Sequence, residues 1–168
     1  IHGSYSIDNI VIEKSSGEAF LPYFTATRLT VSILWSSLLR GDPVAELDFY
    51  QPFLNLVDSA SEAQQQIGLN VDWLYVIDQL VALNVDRVTI EKGWIGFWNF
   101  DRNPAITAQI GNLAATAQNL SNTLKLDGPL FATIEANGDI FQSGSLHLKV
   151  DLNPSFQQVT FNADLQLL

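Results

Sequence analysis

His2 and His147 are the only imidazoles in a chain without a single cysteine, and this limits the metal and nucleophile chemistry it could do. His2 sits at the terminus, and His147 shares a polar alternation with Lys149 and Asp151. A metal site needs two or three such ligands converging, so both histidines read as solvent-exposed. The lack of Cys also removes disulfides, thiolate zinc sites and a thiol nucleophile, but it does not fix a compartment. "QSGSL" (142–146) is no G-x-S-x-G elbow, so Ser143 and Ser145 read as turn and strand residues. The acidic pairs Glu46/Asp48 and Asp86/Glu91 carry groups suited to acid/base work. Glu46 and Asp48 alternate with Leu47 and Phe49, however, and a solvated strand face is the simpler reading. No Gly-rich phosphate cradle precedes a helix. The expectation is a protein with no catalytic centre, no metal and no cofactor.

Composition narrows the partners. The 168 residues are 47% hydrophobic and 15% charged, enough to build a core. Eighteen acidic side chains face eight basic ones, for a formal charge of -10. That balance opposes the approach of phosphate-rich partners, and no Lys/Arg run interleaves with aromatics, so nucleic acid is not expected. The chain begins at Ile1 without a basic-then-apolar leader and has no apolar run long enough to span a bilayer. It reads as a processed or excised piece of a larger protein.

The elements that would position any site are mostly strands. Leu146, Leu148 and Val150 alternate with Ser145, His147, Lys149 and Asp151, and Val159, Phe161, Ala163, Leu165 and Leu167 alternate with polar residues. These are one-sided strands joined by the turn signal "NPS" (153–155), and "NGD" (137–139) marks another turn before them. Ile106, Ala108 and Ile110 share one phase, and Leu113, Ala115 and Ala117 take the opposite phase after Gly111 and Asn112. Such a phase change is the mark of a β-bulge. Leu29, Val31 and Ile33 alternate as well.

Two stretches suggest helical insertions. Ser32 could cap a short turn through Trp35, Leu38 and Leu39, stopped by Arg40, Gly41 and Pro43. "DWLYVIDQLVAL" (72–83) has Asp72 as an N-cap and Trp73, Val76, Ile77, Leu80 and Val81 at helical spacing. The polar stretch 58–68 reads as a loop. In "WIGFWNF" (94–100) alternation places Trp94, Trp98 and Phe100 opposite Ile95 and Phe97, which marks a central or interfacial strand. A lipid-headgroup shelf or a sugar-stacking platform are its functional readings. A strand covered on one face by the 72–83 helix is the simpler one.

The chain also repeats itself. "SIDNIVIEK" (6–14) returns as "NVDRVTIEK" (84–92), and each is followed by Pro-x-x-Thr-Ala, at 22–26 and at 104–108. The repeat units span approximately 5–57 and 84–120, and a meander follows over 128–168. Stacked duplicate β-units are the sequence mark of an extended repeat architecture.

The ordered segments "YSIDNIVIEKSSG", "LPYFTATRLTVSILWSSLLRG", "AELDFYQPFLNLV", "VDRVTIEKGWIGFWNF", "AQIGNLAATAQNLS" and "SGSLHLKVDLNP" resemble the periplasmic AsmA-like proteins, more narrowly a domain-of-unknown-function branch of that superfamily. The resemblance covers nearly the whole chain. It implies a parent protein anchored in the bacterial inner membrane, with a long periplasmic β-groove that shields phospholipid acyl chains during lipid transport or outer-membrane biogenesis. It also implies that further β-repeats of the same parent chain are partners of this segment.

The residues themselves leave two arrangements open. A strand with one apolar face must bury it against a second sheet, a helix or something other than protein. The expected fold is therefore mainly β with minor α: a twisted, curved antiparallel sheet with two helical insertions, forming a groove. A self-contained β-sandwich that binds protein or glycan is the alternative. In the groove, the acyl-chain contacts would be Ile106, Ala108, Ile110, Leu146, Leu148, Val150, Val159, Phe161 and Leu165, with Trp94, Trp98 and Phe100 as an aromatic strand.

Overall fold

A computed structural model describes residues 2–14, 20–35, 39, 44–67, 85–120, 132–140, 144–152 and 161–167. The alternating runs become eight strands: β1 (His2–Ile12), β2 (Phe24–Leu34), β3 (Ala45–Asp58), β4 (Val85–Asn99), β5 (Ile106–Gln118), β6 (Ala132–Ile140), β7 (Gly144–Leu152) and β8 (Phe161–Leu167). They form one open sheet in chain order. The fold is thus mainly β.

The sheet is mixed rather than antiparallel, because β3 and β4 run parallel while every other neighbouring pair is antiparallel. The two occurrences of the repeated phrase lie on either side of that junction, in β1 and β4. Each copy opens an antiparallel pair, β1 with β2 and β4 with β5, and Pro-x-x-Thr-Ala leads into the second strand of each. A parallel junction needs a crossover of about a dozen residues or more, and the connection over 59–84 is long enough.

Among the described residues, neither helical insertion is seen as a formed helix. Ser32, Ile33 and Leu34 finish β2, where Ser32 pairs with Ser4 and Glu46 and Ile33 with Gly3 and Ala45. Ladder bonding to a strand on each side outweighs one weak cap, leaving Trp35 and Leu39 as the helical positions among the described residues. The 72–83 segment lies outside the described residues.

Pairing sorts the side chains into rows that cross the sheet. Ile7, Leu29, Phe49, Ile90, Ala115, Ala136 and Leu148 are partnered in succession from β1 to β7, and Leu148 is in register with Leu165 of β8. Tyr5, Val31, Leu47, Val88, Ala117, Ile134 and Val150 form a second such row. Between them runs the row Ser6, Thr30, Asp48, Thr89, Thr116, Glu135 and Lys149. Successive rows point to opposite faces, so one face is apolar and the other polar.

A crease crosses the strands. Asn9, Gln51, Lys92 and Asn112 have φ of 56, 50, 52 and 49°, and each lies where pairing is interrupted at the same level of the sheet. At this level each of β1 to β5 carries an extra residue, so apolar residues three apart share a face: Ile7 with Ile10, Phe49 with Pro52, Ile90 with Gly93, Ile110 with Leu113. Because neighbours carry the insertion together, the apolar face continues across it. The register shifts that β4 and β5 show at this level are β-bulges, which bend a strand and increase its twist. The duplicated hairpin is not at the same height in both copies: Asn9 lies two residues beyond Ile7, whereas Lys92 lies seven beyond Val85.

Gly93 is the tightest point of the crease. A Cβ there would lie 2.7 Å from Ile90 Cγ2, 3.3 Å from Pro52 Cγ and 3.4 Å from Leu113 Cβ. None of these atoms is the end of a flexible side chain. Gly93→Ala should therefore cost about 1–3 kcal/mol, the usual penalty for overpacking. A urea denaturation midpoint measures it, and an unchanged midpoint would contradict the packing described here.

Candidate functional site

The apolar face has no protein cover among the described residues. Substantial contacts between strands are confined to sheet neighbours, so the sheet does not fold back onto itself. In the two apolar rows only Ala136 is buried, Tyr5 and Ile7 on β1 are 56% and 44% exposed, and the other described residues are half-buried.

The expected acyl-chain residues fall on this face wherever their side chains are described. Ile106, Ala108 and Ile110 of β5 share it with Leu146, Leu148 and Val150 of β7. The link is β6: a Cβ on Gly138, the partner of Leu146, would lie 2.9 Å from Ile110 Cγ2 and 3.4 Å from Leu113 Cδ1. Phe161 is in register with Leu152 and Leu165 with Leu148. Val159 lies outside the described residues. Phe24 and Phe49 meet edge to face across the crease, 5.9 Å between centroids.

Trp94 and Trp98 lie on the polar face. β4 is an interior strand, and a glycine sits under each indole: a Cβ on Gly111 would come within 2.8 Å of Trp94 Cζ3, and one on Gly96 within 2.7 Å of Trp98 Nε1. Phe53 is parallel to Trp94 (3°, 6.3 Å), Trp98 is nearly parallel to Phe100 (11°, 6.1 Å), and Phe20 meets Phe100 edge-on at 5.4 Å.

At this end the polar face carries the small packed core. Val57 is 1% exposed, and Asn55, Gln66 and Ser59 are buried with it. The Asn55 carboxamide donates to Pro22 O (2.9 Å) and accepts from Trp98 Nε1 (2.9 Å), while Gln66 Nε2 donates to Leu21 O (3.1 Å). Lys14 Nζ donates to the carbonyls of Glu62, Ala63 and Gln65, anchoring the 59–67 segment to the end of β1. Sequence reading missed this polar knot. The signal available was Asn55 itself, a lone amide in the apolar run "FLNLV".

The remaining polar face is a lattice of cross-strand ion pairs: Arg28–Asp8 (2.7 Å), Arg87–Glu46 (2.6 Å) and Lys149–Glu135 (3.0 Å). Glu46 is thus engaged by a guanidinium, and its neighbour on that face, Asp48, sits in the polar row. The hydrogen bond to Glu135, helped by the nearby charges of Glu135 and Asp151, holds the Lys149 ammonium above the ordinary lysine range. The exposed pairs Arg28–Asp8 and Lys149–Glu135 contribute little to stability. His147 Nδ1 lies 2.6 Å from Asn137 Oδ1. Among the described residues, no three His, Asp or Glu side chains converge as a metal site, and no helix is long and apolar enough to cross a membrane.

Compared with known proteins, the chain matches no family model and no curated protein.

Proposed function

We propose that the apolar face shields phospholipid acyl chains, as a non-enzymatic periplasmic segment of an AsmA-like envelope protein anchored in the inner membrane. The observation that carries this reading is the face itself: unbroken apolar rows from β1 to β7, with no second protein layer over them among the described residues. Burying side chains of this size releases roughly 1.5–3 kcal/mol each, so a face this broad takes a cover. An acyl chain supplies one without demanding hydrogen bonds, and the face offers few. A self-contained sandwich would need a second sheet there. β1 and β8 each have only one neighbour in the sheet, and in this reading they pair with further β-repeats of the parent chain.

Protein purified from cells without detergent should carry phospholipid, detectable by solvent extraction and mass spectrometry. Lipid-free protein that also takes up no lipid from phosphatidylethanolamine vesicles would overturn the proposal.

A further inference from the structure

The opposite face carries a second feature that acyl-chain shielding does not use. Along the crease, the polar side has two adjoining shallow depressions that share Lys92 and Asn112. The smaller, about 370 Å³, is lined by Phe53, Trp94, Gln51 and Thr25. The larger, about 740 Å³, runs on past Asn137 to Ser145 and His147. Both fall in the size range of ligand sites, about 300–1,000 Å³.

We propose that this trough binds a linear oligosaccharide, one pyranose stacking on the exposed part of the Trp94 indole, which Phe53 supports from the side, while Lys92 and Asn112 hydrogen-bond its hydroxyls, and the next sugars extending toward Asn137 and His147. The rings are parallel to within 3° and Trp94 is 43% exposed. Gly111 makes this possible, since any Cβ there would collide with the benzo ring. A pyranose offers one face of C–H groups to such a surface and a rim of hydroxyls to its surroundings. The rim here is suited to hydroxyls: the Asn112 and Gln51 carboxamides supply donors and acceptors, and the Lys92 ammonium spends one N–H on Tyr50 Oη (3.1 Å), keeping two.

Charge and topology argue against other ligands. The larger depression includes Glu91 and Asp139 as well as Lys92, so a neutral ligand avoids the repulsion that a phosphate meets on a chain of charge -10. An extended peptide binds by adding to a free sheet edge, and β4 and β5, which supply Trp94, Lys92 and Asn112, are interior strands. The site is on the face opposite Ile90 and Val150, so it stands or falls independently of the lipid reading.

The test is titration of the wild-type protein with the β-1,4-linked trimers of N-acetylglucosamine and of glucose, followed by saturation-transfer NMR and tryptophan fluorescence. At least one trimer should bind, and Trp94→Ala should weaken it at least about tenfold, or 1.4 kcal/mol. Ser4→Ala, at an exposed position on the edge strand β1, should bind as the wild type does. Lys92→Gln, at an exposed position, must also weaken binding and answers the question if Trp94→Ala does not fold. No binding of either trimer, or binding that both variants leave unchanged, would overturn the proposal.

Discussion

Ile90→Asp and Val150→Asp are expected to strip phospholipid from the protein while leaving its strand content intact. Both side chains are half-buried members of the apolar rows, Ile90 at the centre of the sheet and Val150 toward β8. A carboxylate beneath an acyl chain loses its water without gaining a partner, which costs several kcal/mol. The bound chain therefore leaves, and the carboxylate regains solvent. The strands survive because their ladders use backbone groups and no layer of protein packs against these positions among the described residues. The control is one residue away: Thr89→Asn changes the polar face of the same strand and should leave the lipid load unchanged. Lipid-to-protein ratios by mass spectrometry, with far-ultraviolet circular dichroism, decide the matter. Equal loads in Ile90→Asp and wild type would sink the acyl-chain reading. So would a cooperative loss of folding in both Asp variants, the signature of a closed core.

Asn55→Ala should be the most destabilising substitution on the opposite face. It leaves Trp98 Nε1 and Pro22 O, both bonded to the carboxamide at 2.9 Å, without partners in a place where Asn55 is only 5% exposed. Each orphaned group costs about 1–3 kcal/mol, so a loss of about 2–6 kcal/mol is expected, a large part of the roughly 5–15 kcal/mol that holds a domain together. Urea denaturation followed by tryptophan emission reads it, with Trp98 reporting on its own lost bond. Asn99→Ala is the comparison, since Asn99 Nδ2 donates to Asp58 Oδ2 (3.0 Å) in a half-buried setting. It should cost distinctly less. Equal effects from the two would show that Asn55 is not the keystone of this end.

The strands, their two-faced character and the bulge at Gly111 and Asn112 were legible in the chain because a strand writes its faces with a period of two, and a bulge shows as a local change of phase. The same signal placed Trp94 and Trp98 opposite Ile95 and Phe97, and the repeated phrase pointed to two hairpins of one kind. What period-two reading cannot carry is height. Asn9, Gln51, Lys92 and Asn112 look unrelated along the sequence, and only pairing between strands brings their positive φ values to one level as a crease. The same holds for the parallel junction of β3 with β4, which is a matter of pairing direction and not of either strand's residues. Ser32–Leu34 illustrates the competition directly: local signals favoured a helix start, and the ladders to β1 and β3 kept those residues in the sheet. Trp94 over Gly111, and Asn55 between Trp98 and Pro22, join residues that chain order keeps apart. Such contacts depend on register, a long-range property, and so the tertiary structure alone decided which aromatic rings lie open and which amide is buried.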